Sequence, residues 1–205
     1  MSSLGIFIPA RLNSTRLKEK MLIEVDGKPL IRNVYDKVKS FGYDTYVLTD
    51  SEKISSIIPE NCIMSGEHEN GTARIASIVD KFNYSSYINV QGDMVDIDKE
   101  LIEKIAIELT NKDVVTAYTK NKTSVRIIHD NNTAHWFTRK DIGYGDYHLG
   151  VYGYKTDALI WYNNNKRTKP EIIEDLEQLR FFGDYEISVV EHNYNGREIN
   201  TKEDL

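Results

Sequence analysis

The rhythm of the first 112 residues constrains this chain most: short strand-like runs alternate with amphipathic segments. Leu4–Ile8 is nearly continuous in apolar residues and is bounded by Pro9, which suits a buried parallel strand. "DTYVLT" (44–49), "CIM" (62–64) and "YINV" (87–90) read as three more strands. Helices are expected between them. "PLIRNVYDKVKSFG" has Pro29 in its first turn, apolar residues at Leu30, Ile31, Val34 and Val38, and Gly42 past its end. "SEKISSII" (51–58) is a short helix stopped by Pro59, and "TARIASIVDKF" (72–82) puts Ile75, Ile78, Val79 and Phe82 on one face. Asp98 is placed to cap a helix over 99–109. This alternation predicts an α/β fold: a Rossmann-like mixed, mostly parallel sheet with helices on both faces.

From Val114 the pattern changes. "DVVTAYT", "SVRIIH", "AHWFT" and "HLGVYGY" are closely spaced strand-like runs, predicting a small antiparallel extension. Helices are expected again at 157–163 and 171–182, and a last strand at 186–192. No repeat, low-complexity tract or linker interrupts the 205 residues, so one domain is expected. The single cysteine, Cys62, excludes a disulfide framework and a thiolate metal cluster. A net charge of -6 argues against nucleic-acid or membrane-surface partners. The start of the chain has no basic n-region, and no segment reaches the roughly 20 apolar residues of a membrane span, so a cytoplasmic location is expected.

Against that acidic background, "IPARLNSTRLKEK" gathers Arg11, Arg16, Lys18 and Lys20 at the end of the first strand. Ligands of open α/β sheets bind beyond the carboxyl ends of the strands. Two further polar clusters are expected there, "GEHENGTAR" (66–74) and "QGD" (91–93). Arg11, Arg16 and Lys20 suit phosphate, Gly71 and Thr72 at a helix start suit an anion, and Asp93 suits Mg²⁺. Together they suit phosphoryl or nucleotidyl transfer. Each has a plain structural alternative: a solvated cationic loop, a cap at Thr72, a turn at Gly92–Asp93. The chain has no G-x-G-x-x-G, no complete P-loop, no zinc-spaced histidines and no G-x-S-x-G elbow. In "DID" (96–98) Asp98 is read as a helix cap rather than as part of an Asp-x-Asp metal motif.

With these residues in view, the chain resembles the 3-deoxy-manno-octulosonate cytidylyltransferase (CMP-Kdo synthetase) family. "IPARLNSTRL", "VDGKPLI", "GEHENGTAR", "INVQGD", "HLGVYGY", "LEQLR" and "INTKEDL" stand in the family's order. The resemblance implies a nucleotide-diphospho-sugar-transferase type of fold that couples CTP to an acidic eight-carbon sugar with Mg²⁺. It implies catalytic roles for Arg11, Lys20 and Asp93. Pro9, Ala10, Arg11, Arg16, Lys20, Gly71, Thr72 and Arg74 would form the nucleotide site. Gln91, Arg139, His148 and Glu177 would surround the sugar acid, with Asp93 and Asn200 at the metal. Residues 1–112 would be the nucleotide-binding half, and 113–205 the sugar-binding and dimerisation half of a homodimer. The chain departs from the family at Asn200, where the family has a metal-binding Asp, at Met94–Val95 in place of Glu-Pro, and at Leu17–Lys20 in place of "LPGK". The chain is also shorter than is usual for the family. A CMP-nonulosonate synthetase, a catalytically weakened nucleotide-binding homologue and an Asp-x-Asp glycosyltransferase therefore stay open as alternatives.

Overall fold

The computed structural model describes residues 3–13, 17–199, 201 and 204. The strands are β1 (Leu4–Ala10), β2 (Glu24–Val25), β3 (Lys28–Pro29), β4 (Asp44–Thr49), β5 (Cys62–Met64), β6 (Ser86–Asn89), β7 (Val114–Thr119), β8 (Arg126–Asp130), β9 (Thr133–Thr138), β10 (Asp146–Lys155) and β11 (Ile187–Glu191). The helices are α1 (Leu30–Lys39), α2 (Glu52–Ile57), α3 (Gly71–Ala76), α4 (Lys99–Glu108), α5 (Thr156–Asn164) and α6 (Lys169–Glu174), with 3₁₀ turns at Lys20–Leu22, Val79–Lys81 and Glu177–Arg180.

Among the described residues one nine-stranded sheet runs in the order β5-β4-β1-β6-β10-β7-β11-β9-β8, and β2 and β3 form a separate hairpin. β5, β4, β1 and β6 are parallel, as the alternation of strand and helix requires. β10 is antiparallel to both β6 and β7. Strand alternation splits the core between the two faces. Ile6 and Ile8 point to the side covered by α1, α2 and α4, while Phe7 points to an aromatic-rich layer with Tyr87, Tyr154, Tyr162 and Phe181. α4 starts where expected, with Asp98 accepting from the Leu101 amide at 2.9 Å. No described helix is long and apolar enough to cross a membrane.

Two expected helices are broken. The segment 72–82 is α only to Ala76; Ser77 Oγ donates to the Arg74 carbonyl at 2.8 Å, competing with the helical ladder. Phe82 then leaves the helix line to pack edge-on against Phe7, ring centroids 5.3 Å apart. The apolar face is as expected, but its geometry is helix plus 3₁₀ turn. The segment 171–182 breaks at Asp175, which adopts a left-handed φ of 53°. Its second half becomes the 3₁₀ turn that carries Glu177 and Gln178.

β10 carries a bulge: Leu149 pairs with Ala117, and the next register partner, Thr116, meets Tyr152. Farther along, Gly153 lets α4 settle directly on the strand. A Cβ there would lie 2.6 Å from both Ile105 Cγ2 and Leu109 Cδ1. Gly153→Ala is therefore expected to cost about 1–3 kcal/mol by overpacking. Urea unfolding at neutral pH measures it, and an unchanged midpoint would contradict this packing.

Candidate active site

The chain order of the parallel strands reverses between β1 and β6, the point where open α/β sheets bind ligands. A cleft of about 330 Å³ opens there. Its floor is Pro9, Ala10 and Arg11 from the end of β1, with Gln91, Asp93 and Met94 following β6. One wall is His68–Gly71, and the other combines Arg139, His148, Gly150, Tyr152 and Leu176–Gln178. The close approach of these segments depends on small residues. A Cβ on Gly71 would meet Pro9 Cγ at 3.3 Å, and one on Gly150 would meet Gln91 Cγ at 3.2 Å. Gln91 Nε2 in turn donates to the Gly150 carbonyl at 3.0 Å, so the β10 bulge orients it.

Of the residues expected in the nucleotide site, Pro9, Ala10, Arg11, Gly71 and Arg74 line the cleft. Three need correction or refinement. Lys20 is buried beside the cleft, and its ammonium contacts Asp93 Oδ2 at 2.6 Å. Thr72 is fully buried behind the wall: its hydroxyl meets the Tyr154 hydroxyl, and its amide donates to Glu177 Oε2 at 2.8 Å. The amide expected to meet a substrate anion therefore already holds one of the protein's own. Arg74 directs its guanidinium to Ser65 Oγ, the Gly66 carbonyl and Asp50, shaping the turn before α3. Arg16 and Asn200 lie outside the described residues.

Gln91, Arg139, His148 and Glu177 all reach the cleft. Arg139 is anchored to the Glu174 and Asp175 carbonyls at 3.2 and 3.1 Å. Burial pushes the Glu177 carboxyl up from its ordinary pKa, against the pull of the Thr72 hydrogen bonds. The Thr116 hydroxyl lies 2.7 Å from the Val151 carbonyl and 2.9 Å from His148 Nε2. A hydroxyl has one proton, and the carbonyl can only accept it. His148 Nε2 must then donate, which leaves Nδ1 as the acceptor. Sequence reasoning missed Tyr152 and Gln178. The Tyr152 hydroxyl donates to Gln178 Oε1 at 3.0 Å, while the buried Gln178 Nε2 has no protein partner among the described residues. In the continuous helix expected over 171–182, neighbours in "LEQLR" would diverge. The 3₁₀ turn instead brings both Glu177 and Gln178 to the cleft.

For a cation, Asp93 offers a hard carboxylate oxygen, and the Lys20 ammonium already stands against it. Glu198 lines the same cleft. The described residues contain no group of three or more His, Cys, Asp or Glu able to hold a metal by themselves. That donor set fits Mg²⁺, which usually takes one or two carboxylates and completes its shell with phosphate oxygens and water.

An α/β sheet with a polar cleft at its switch point, walled by cationic and carboxylate side chains, defines a class of proteins that bind anionic ligands. Comparison with known proteins narrows the class. Residues 6–189 match the model of the cytidylyltransferase family, and the chain belongs to that family. It is 35% identical to a 3-deoxy-manno-octulosonate cytidylyltransferase of Fusobacterium nucleatum, over 100% of this chain and 94% of that one. It is 34% identical to the corresponding protein of Francisella tularensis subsp. novicida, over 92% and 90% of the two chains. A solved structure of CMP:2-keto-3-deoxy-manno-octonic acid synthetase complexed with CTP superimposes with a TM-score of 0.89 at 28% identity, covering 98% of this chain and 94% of that one. The nucleotidyltransferase-like fold agrees with the α/β expectation.

Burial, with a smaller push from the Arg139 guanidinium, drives the His148 pKa down to about 3. Above the unfolded value near 6.5 neither state protonates it. Below that, the unfolded chain gains a proton and the folded one does not until about 3. Folding stability contributed by this site is therefore lost as pH falls from 6.5, on the order of 3 kcal/mol by pH 4. In His148→Gln the acid limb of stability should flatten by nearly one proton, read from urea unfolding across pH 4–8. An unchanged slope would contradict the neutral, buried imidazole.

Proposed function

We propose that the protein transfers the cytidylyl group of CTP to Kdo or a close 2-keto sugar acid, releasing pyrophosphate. The observation that carries this reading is that one cleft is lined by residues from both expected sets. Arg11 and Asp93 come from the strand ends, and Gln91, Arg139, His148 and Glu177 come from the walls. The likeness to CMP-Kdo synthetases over the whole chain supports the choice of base and sugar. In the proposed reaction the anomeric hydroxyl oxygen attacks the α-phosphorus and gives up its proton to solvent, the α–β phosphoanhydride bond breaks, and pyrophosphate leaves with its electron pair.

The chain's own groups divide this work. Arg11 and Lys20 hold phosphate oxygens by charge-assisted hydrogen bonds. Arg139 faces the sugar carboxylate, and the unpartnered Gln178 Nε2 donates to a sugar or carboxylate oxygen. His148 Nδ1 and the Glu177 carboxylate are acceptors that orient sugar hydroxyls. Asp93 would hold Mg²⁺, which when bound supplies charge neutralisation at the phosphate oxygens. On this reading residues 1–112 chiefly handle the nucleotide and 113–205 the sugar. A homodimer belongs to the same proposal, supported by the family likeness, and light scattering tests it.

With CTP, Mg²⁺ and a panel of sugar acids, pyrophosphate release is expected with Kdo. Release only with a nonulosonate would replace the substrate, and CTP binding without any turnover would overturn the reading. Asp93→Ala should lower turnover by about 10²-fold or more with an unchanged circular dichroism spectrum, since charge placed at the reacting phosphate dominates such chemistry.

A further inference from the structure

Lys20 and Asp93 have different proposed partners, phosphate and metal, yet they hold each other. The Nζ–Oδ2 contact is 2.6 Å, with 9% of the lysine side chain exposed. Packing builds this pairing into the fold. Met21, next to Lys20, lies against Gly92, next to Asp93: a Cβ on Gly92 would stand 2.9 Å from Met21 Sδ and 3.5 Å from Ile31 Cδ1. The turn is tied down on both sides. Glu19 takes a left-handed φ of 50° and pairs with Lys53 at 2.7 Å, and the Leu30 amide donates to the Ile23 carbonyl at 2.8 Å. A long side chain on a free loop would visit Asp93 by chance; here two packed segments aim the ammonium at the carboxylate.

An ammonium and a divalent cation on the same carboxylate repel each other, and burial weakens solvent screening of that repulsion. We propose that Lys20 is a built-in counter-ion that competes with the divalent cation for Asp93. Nucleotide phosphates release Asp93 by drawing the ammonium to themselves. Metal and nucleotide therefore strengthen each other's binding, by reciprocal amounts. The protein alone therefore holds divalent metal weakly. This inference rests on the reading of Asp93 as the metal-holding carboxylate.

The test is Mn²⁺ binding to the full chain without nucleotide, followed by electron paramagnetic resonance. Lys20→Met should bind Mn²⁺ about tenfold more tightly than the unsubstituted protein, since a competing unit charge has been removed. Lys20→Gln, which keeps a donor to Asp93 and deletes only the charge, should shift affinity the same way. Asp93→Asn should abolish the binding that Lys20→Met reveals. Equal Mn²⁺ affinity for the unsubstituted protein and both Lys20 variants would overturn the competition, as would absence of binding in all three. Tighter binding that survives Asp93→Asn in the Lys20→Met background would overturn it as well, and would take the metal assignment with it. Loss of binding in Asp93→Asn with no effect of either Lys20 change would sink the competition alone and leave the proposed function standing.

Discussion

The cleft depends on one buried ion pair. Glu171 is fully buried, and both its oxygens accept from Arg180, at 2.8 Å from Nε and 2.6 Å from Nη2. The guanidinium also lies 3.9 Å from the centre of the Tyr162 ring, donates to the Tyr162 and Asn165 carbonyls, and reaches Glu69 across the cleft wall. Asn70 joins the same network through Nδ2, while its Oδ1 caps α3. A charge network centred on this pair, with Glu69 and Arg167 as further ionic partners, thus joins the loop before α3, the end of α5, helix α6 and the turn bearing Glu177 and Gln178. Removing one partner of such a pair typically costs about 3–5 kcal/mol because the other charge stays buried. Here the loss would also free both cleft walls.

The same economy of charge recurs inside the cleft. Glu177 sits on the Thr72 amide, Lys20 sits on Asp93, and Arg74 sits on Asp50. A site for a polyanion and an acidic sugar needs strong charges in a confined space, and each would be costly there without a partner. The protein supplies those partners internally. Some of the pairs must be exchanged for substrate contacts, as proposed for Lys20. Others, such as Arg74 with Asp50, shape the walls.

Much of the fold could be read from the chain because its signals are local. The parallel half follows from apolar runs separated by capped or glycine-ended helices, and Asp98 caps α4 as its position before the run 99–109 implies. The two broken helices could not be read that way. Over 72–82 and 171–182 the apolar spacing suits a continuous helix, and the breaks come from Ser77 bonding backward, Phe82 joining an aromatic layer, and Asp175 turning left-handed. The second break hid Gln178, since nothing in "LEQLR" by itself says that adjacent residues share a cleft.

The sequence by itself determined the class of fold, the strand ends at which a ligand would sit, and the residue types gathered there, because periodicity and clustering are properties of neighbours along the chain. Only the tertiary structure decided which of those residues face the cleft and which face each other. Pro9 and Gly71 meet because β1 and α3 approach closely, Thr72 is spent on Glu177 from more than a hundred positions away, and Lys20 is aimed at Asp93 by the contact of Met21 with Gly92. Pairing of charges across such distances depends on how the elements pack, and that information is spread over the whole core rather than written at either end of the pair.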